Sequence, residues 1–171
     1  MYIVADTALL IIDLQQGLFK KRTKIFKEEE LIKNINLLIE KSRKLNIPVI
    51  FIRHTNKSFL AENSEDWQIH PDVEFEEADL LLNKEHSSLF KEKSIIKKFE
   101  DMGLKSLIIT GLVTHGCVKA ACLDGKKFGY EIKLAADAHS SFNEKAEKLI
   151  EEWNENLSQQ GILVLPAAEI F

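Results

Sequence analysis

Three reactive side chains of this 171-residue chain follow apolar segments of strand length. Asp13 comes after four apolar residues, and Lys84 follows the short run Leu80–Leu82. Cys117 lies a few residues beyond a third such segment, which ends at Gly111. A thiol nucleophile needs a base to accept its proton and a positive charge to stabilise the resulting anions. The three residues together supply those roles and predict nucleophilic catalysis.

Taken alone, two of these residues also fit structural roles. Asp13 could cap the following helix or form a structural ion pair, and Lys84 could be a surface lysine in a lysine-rich chain. Burying either charge without a partner is costly. Their combination with a cysteine favours the catalytic interpretation.

Cys117 is the more informative of the two cysteines. It follows Gly116 and precedes a helical segment that begins at Val118. A thiol at a helix N-terminus is expected to have a lowered pKa. Cys122 is expected to be a buried, unreactive cysteine. It stands about 140° further round the helix from Cys117, so a disulfide between them is not expected.

The elements that must position these residues alternate between strand and helix patterns. The strand-like runs are Ala8–Leu14, Pro48–His54, Leu80–Leu82, Ser106–Gly111, Glu131–Ala136 and Gly161–Leu165. Helical spacing between them predicts a mostly parallel sheet with helices on both faces, an α/β three-layer sandwich. In such sheets ligands bind beyond the carboxyl ends of the strands, where the strand order reverses.

The connection Thr55–Ala78 is unusually long and lacks clear periodicity. Loops of this length are usually functional, for instance as lids, although a surface excursion or an oligomer contact is the alternative. Its apolar residues are Phe59, Trp67, Ile69, Val73 and Phe75. An isolated solvated loop should not expose so much apolar surface, so we expect a homo-oligomer whose interface includes this loop.

Composition excludes several classes of protein. A net charge of −4 argues against a nucleic-acid or anionic-membrane partner. No apolar run approaches the length of a membrane span, and Met1–Asp6 lacks the charged start of a signal peptide. Two cysteines favour a reducing cytoplasm. The sequence has no G-x-S-x-G, G-x-G-x-x-G or P-loop motif, which argues against serine-hydrolase and nucleotide-binding functions.

Five motifs resemble one known family in order and separation. They are Leu9–Gln15, Lys84–Phe90, Gly111–Val118, Phe128–Ile132 and Asp137–Ser140. With them the chain resembles the isochorismatase-like cysteine hydrolases, which include nicotinamidases and N-carbamoylsarcosine amidohydrolase. The resemblance covers nearly the whole chain and implies a single domain over residues 1–171.

The resemblance implies both a site and a fold. It assigns the catalytic triad to Asp13, Lys84 and Cys117, and the oxyanion hole to the backbone N–H groups of Val113 and Cys117. It places a cis peptide bond between Val113 and Thr114. The implied fold is Rossmann-like, with six parallel strands in the order 3-2-1-4-5-6. Relatives are commonly dimers or larger.

The sequence departs from the family at a few positions. Nicotinamidases carry a metal-binding Asp-x-His near the end of strand two, whereas Arg53–Asn56 here contains no aspartate. We therefore expect no metal and no cofactor. Ala121 replaces a frequent threonine, which removes a local hydrogen bond. Leu89 replaces a frequent alanine, which is expected to reshape the pocket.

Four further residues are candidates for substrate binding. His54 ends strand two, Trp67 lies in the long loop, Phe19 follows the first motif, and His115 stands in the nucleophile loop. The alternative for each is an ordinary packing, capping or solvent-facing role.

The sequence thus predicts a cytoplasmic hydrolase of a small amide, carbamoyl or related C–N compound, acting through a thioester. Two alternatives remain. One is an isochorismatase-type vinyl-ether hydrolase, and the other is a non-catalytic binding or regulatory module with the same fold. The expected partners are a small-molecule substrate and other copies of the chain. The identity of the substrate does not follow from the sequence.

Overall fold

A computed structural model describes residues 6–171. The strands are β1 (Thr7–Ile12), β2 (Val49–His54), β3 (Leu80–Lys84), β4 (Ser106–Leu112), β5 (Glu131–Ser140) and β6 (Leu163–Leu165). They form one sheet in the order β3-β2-β1-β4-β5-β6, and every neighbouring pair is parallel. The predicted α/β fold and strand order are therefore confirmed. The start of the chain considered above, residues 1–5, lies outside the described residues.

Helices cover the sheet because the strands are apolar on both sides. The helices are α1 (Gln16–Phe19), α2 (Glu28–Lys44), α3 (Lys93–Asp101), α4 (Lys119–Lys127) and α5 (Ala146–Gln159). Two buried apolar clusters result, one on each face of the sheet. In β1, Leu9 and Ile11 belong to one cluster, whereas Leu10 and Ile12 belong to the other. This continuous apolar run is typical of a parallel strand covered on both faces.

The sheet changes its direction of winding at β1. β1 pairs with β2 on one side and β4 on the other, so the chain moves outward in opposite directions from this central pair. In sheets of this kind, ligands usually bind between the loops that leave the carboxyl ends of such a central pair.

Two strands extend further than their sequence patterns predict. β3 continues to Lys84, two residues beyond its apolar run. β5 continues to Ser140 because its register shifts: Leu134 pairs with Ile109, but His139 pairs with Gly111. The bulge carries the later part of β5 towards the carboxyl end of β4, so His139 lies beside the site region.

The long loop packs mainly on its own chain. Residues 55–78 contain neither helix nor strand apart from an isolated bridge between Gln15 and Ile69. Trp67 and Val73 are only 5% exposed, whereas Phe59 and Phe75 are exposed. Part of this apolar set therefore packs in the core beside α2 and β2, and the oligomer interface expected at the loop stays a prediction.

Within residues 6–171, no helix is long and apolar enough to span a membrane.

Gly111 allows β4 to pack closely against β1 at the carboxyl end of this strand pair. Its φ is +113°, and a Cβ at this position would lie 2.1 Å from the carbonyl oxygen of Ile12, its partner in β1. We expect Gly111→Ala to prevent folding or to lower the free energy of unfolding by several kcal/mol, because backbone cannot move away as a flexible side chain can. Urea unfolding followed by circular dichroism measures the effect.

Gly129→Ala is the matched control. Gly129 also has a positive φ, +92°, but nothing lies within 4 Å of the added Cβ. It should cost only the conformational term, about 1–2 kcal/mol. Equal losses in the two variants would contradict the role of close packing at Gly111.

Candidate active site

The three reactive side chains meet at the carboxyl ends of β3, β1 and β4. Asp13 directly follows β1 and has a left-handed backbone, with a φ of +54°. Lys84 is the last residue of β3, and Cys117 lies in the turn that follows β4. The Nζ atom of Lys84 is 3.1 Å from Asp13 Oδ2 and 3.2 Å from Cys117 Sγ. The structure thus brings together the three residues that the sequence singled out.

The Lys84 ammonium is the centre of the cluster. The residue is only 1% exposed, and its Nζ also lies 3.2 Å from His54 Nδ1 and 3.2 Å from the carbonyl oxygen of His86. An ammonium has three protons and accepts none, so it must donate to its neighbours. Burial and the Lys84 charge lower the pKa of His54. His54 is therefore neutral, with Nδ1 accepting and the proton on Nε2.

Burial controls the protonation of the other two members. It raises the pKa of Asp13, against the lowering effect of the Lys84 charge. Burial and the negative charge of Asp13 raise the pKa of Cys117 to about 12. Asp13 Oδ1 is buried and has no hydrogen-bond partner among residues 6–171. This oxygen remains free to accept a proton.

The lowered thiol pKa predicted from the sequence is therefore wrong for the resting site. Cys117 does not stand at a helix N-terminus but inside a wide turn, Thr114–Val118, that precedes α4. The loss of solvation outweighs any helix dipole there. The resting cluster contains one ammonium, one carboxylate and a neutral thiol, so moving the thiol proton to Asp13 leaves its total charge unchanged.

The cis peptide bond lies one position earlier than predicted. It joins Leu112 to Val113, not Val113 to Thr114. β4 reaches Leu112, so this bond is where the chain leaves the sheet, and Thr114 already belongs to the following turn. The carbonyl oxygen of Val113 accepts hydrogen bonds from the N–H groups of Gly116 and Val118. The oxyanion hole at the N–H groups of Val113 and Cys117 stays a prediction.

Gln15 positions the site, and the sequence reasoning missed it. Its side chain is fully buried, and its Nε2 donates to the carbonyl oxygens of His54, at 2.9 Å, and Trp67, at 3.0 Å. Its Oε1 accepts from the His54 N–H at 2.8 Å. One amide thus joins the end of β1, the end of β2 and the long loop. The available signal was a glutamine two residues after Asp13, at the end of the apolar first motif.

Two aromatic candidates are buried within the chain. The indole Nε1 of Trp67 donates to Thr55 Oγ1 at 2.9 Å, and the Arg53 guanidinium stacks 3.3 Å from the centre of the ring. Phe19 packs against the His70 ring, with centroids 4.4 Å apart. These contacts give both residues a structural role in the loop, and their substrate-binding role stays a prediction.

The two histidine candidates differ in their relation to the cluster. His54 is half-buried and contacts Lys84, as described above. His115 is also half-buried but lies next to Ser141, with its Nδ1 3.5 Å from the Ser141 hydroxyl. Of the two, only His54 contacts a member of the cluster among the hydrogen bonds of the described residues.

The same cluster can be compared with a metal site. Asp13, His54 and Cys117 each offer one ligand atom, and these atoms lie within 4.8 Å of one another. However, Lys84 Nζ lies within 3.2 Å of all three residues and already supplies a positive charge there. A second cation would be repelled by the ammonium. The donor set therefore does not fit a metal centre while Lys84 is protonated.

Replacing Asp13 should make the Cys117 thiolate easier to form. The carboxylate raises the pKa of Cys117, so Asp13→Asn should lower that pKa and speed iodoacetamide labelling of Cys117 near pH 8 by about tenfold or more. The initial labelling rate as a function of pH measures the change.

Lys84→Met provides the opposite control. The Lys84 charge lowers the pKa of Cys117, so its removal should slow labelling at the same pH. Cys122 is fully buried and should contribute little signal, and Cys122→Ala checks this. Unchanged or slower labelling of a folded Asp13→Asn protein would contradict the electrostatic description.

Comparisons with known proteins identify the family of this chain. The Isochorismatase domain model matches residues 7–165. Isochorismatase family protein 2A of Dictyostelium discoideum is 32% identical, over 83% of this chain and 70% of that protein. Nicotinamidase 3 of Arabidopsis thaliana is 24% identical, over 81% and 75%.

A solved structure shows the same fold. The crystal structure of a cysteine hydrolase from Pseudomonas syringae pv. phaseolicola superposes with a TM-score of 0.89 at 17% identity, covering 99% of this chain and 92% of that chain. At this identity the likeness concerns the fold alone. With a family model that matches nearly its entire length, the chain belongs to the isochorismatase family of hydrolases.

Proposed function

We propose that this chain hydrolyses a C–N bond of a small amide, carbamoyl or related compound through a thioester on Cys117. The observation that carries the proposal is the buried Lys84 ammonium, which contacts both the Asp13 carboxylate and the Cys117 thiol. This arrangement keeps a base and a nucleophile side by side under one positive charge. It is the arrangement that acyl transfer to a thiol requires.

The first half-reaction transfers the thiol proton to Asp13. As Cys117 Sγ attacks the carbonyl carbon, its proton passes to the free Oδ1 of Asp13, and the C=O electron pair moves onto oxygen. Backbone N–H groups of Val113 and Cys117 are proposed to bind this oxyanion. When the tetrahedral intermediate collapses, Asp13 returns the proton to the leaving nitrogen, and the amine or ammonia departs.

The second half-reaction regenerates the thiol. Asp13 takes a proton from water, and the resulting hydroxide attacks the thioester carbon. The C–S bond then breaks, the acid product leaves, and Cys117 recovers a proton from Asp13. Because the proton moves between neighbours, the buried cluster does not have to change its total charge at either step.

Exposure favours a small substrate. Asp13 and Lys84 are buried, whereas Cys117 is partly exposed. A substrate therefore reaches the thiol while bulk solvent is kept from the ion pair, and the hydrolytic water enters with the substrate's leaving group gone. The similarity to a nicotinamidase supports an amide substrate, although the substrate itself is left to experiment.

The test is turnover of a panel of primary amides, carbamoyl amino acids and isochorismate. Cys117→Ala should lower kcat for the active compound by at least about a thousandfold, because the covalent step is lost. Mass spectrometry of the intact wild-type protein, quenched during turnover, should show the acyl adduct. Circular dichroism should show that the variant remains folded.

Controls distinguish the proposed thioester mechanism from metal-dependent hydrolysis, the vinyl-ether reaction and a non-catalytic module. Cys122→Ala should retain turnover, since Cys122 is buried away from the cluster and its pKa is raised by burial alone. Activity should persist in EDTA. Loss in EDTA with recovery on adding zinc or iron would contradict the metal-free mechanism. Turnover of isochorismate by Cys117→Ala would favour the vinyl-ether reaction, and an inactive panel with ordinary labelling of both thiols would favour a binding module.

We also propose a homo-oligomer in the cytoplasm. The exposed Phe59 and Phe75 of the long loop support the assembly. The two free cysteines support the reducing cytoplasm as its location. Light scattering at micromolar concentration should give a mass above the 19.6 kDa of one chain. The monomer mass would contradict the assembly.

A further inference from the structure

A second buried network contacts the turn Thr114–Val118, which contains Cys117 and is called the nucleophile turn below. This network is separate from the Lys84 cluster. His139, near the end of β5, is 3% exposed, and Thr114, the first residue of the turn, is fully buried. His139 Nδ1 lies 2.8 Å from Thr114 Oγ1, and His139 Nε2 lies 2.8 Å from Asn154 Oδ1 on α5. Three elements thus meet at one imidazole ring.

The direction of each hydrogen bond follows from Asn154. Its Nδ2 donates to the carbonyl oxygen of Ala136 at 3.1 Å, so its Oδ1 is the atom that faces His139. His139 must therefore donate from Nε2, which leaves Nδ1 unprotonated. The hydroxyl of Thr114 donates to that nitrogen. Each polar atom in the chain of hydrogen bonds has one defined role.

The neutral ring is stable in this environment. Burial lowers the pKa of His139 to about 4, against the opposing effects of Asn154 and Asp137. The tautomer described above therefore persists near neutral pH.

Thr114 connects this network to the nucleophile. Its carbonyl oxygen accepts a hydrogen bond from the N–H of Lys119, the first residue of α4. This bond joins the two ends of the turn that contains Cys117. The first residue of that turn is held by its backbone from one side and by its hydroxyl from the other. A displacement of Thr114 would move the thiol relative to Lys84.

We propose that His139, held in one tautomer by Asn154, is a positioning residue that fixes the nucleophile turn through the Thr114 hydroxyl. The inference rests on the proposed function, because it assumes that the position of Cys117 limits the reaction. Small displacements of a reacting group lower rates strongly. The network acts through Thr114 and does not contact the reacting atoms.

Two variants remove the critical hydrogen bond. Thr114→Val deletes the hydroxyl at nearly constant shape, and His139→Leu deletes both ring nitrogens. Each should lower kcat about tenfold with little change in KM, and each should change the rate of iodoacetamide labelling of Cys117. The double variant should lose no more than either single one, since both remove the same contact.

Conservative variants provide the rescue. Thr114→Ser keeps the donor, and His139→Asn keeps a polar atom at the δ position of the side chain. Both should recover most of kcat and the normal labelling rate. Ser140→Ala is the matched control, because it removes another hydrogen bond from the same strand end, the one from Ser140 Oγ to the Phe26 carbonyl oxygen. It should leave the labelling rate unchanged.

The outcomes separate this inference from the proposed function. Wild-type labelling and kcat in folded Thr114→Val and His139→Leu proteins would overturn the inference, whereas turnover by Cys117→Ala would overturn the function. If no substrate in the panel is turned over, labelling alone decides. An equal change in Ser140→Ala would show that general loosening of the strand end, not Thr114, is responsible, and would also overturn the inference.

Discussion

The buried ammonium group of Lys84 determines how this site is built. Lys84 is almost completely buried, and a lone charge there would be very unfavourable. Asp13 balances the charge and accepts a hydrogen bond from the ammonium. Cys117, His54 and a backbone carbonyl oxygen share hydrogen bonds from its other two protons. Removing any one contact would leave part of the charge unsolvated. The surrounding structure therefore has to hold several strand ends in fixed relation, and it does so through the sheet.

The order of the strands makes that relation possible. The three contributing residues are separated widely in sequence, yet β3, β1 and β4 end at the same edge of the sheet. β2 lies between β3 and β1 and contributes His54 to the same edge. Gln15 then joins β1, β2 and the long loop. Hydrogen bonds between strands thus position the three reactive groups with the precision of a packed core and not of a mobile loop.

The sequence predicted most of the fold and the reactive residues because their signals are local. An apolar run followed by Asp13, or a cysteine after Gly116, can be recognised one segment at a time. The thiol pKa was predicted in the wrong direction because it depends on burial, which only the assembled chain defines. The bulge in β5 was missed for a similar reason, since it depends on pairing with β4. Gln15 and His139 act through partners distant in sequence, and no spacing rule reveals those partners.

The raised pKa of Cys117 has a consequence for damage by oxidants. Hydrogen peroxide attacks thiolates, and a thiol that stays protonated near neutral pH presents very little of that form. Cys117 of the resting protein is thus shielded from conversion to sulfenic and sulfinic acids. In the proposed reaction, the sulfur gains nucleophilic character only as its proton passes to Asp13. The same desolvation that disfavours ionisation of the thiol therefore preserves the sulfur of the resting site.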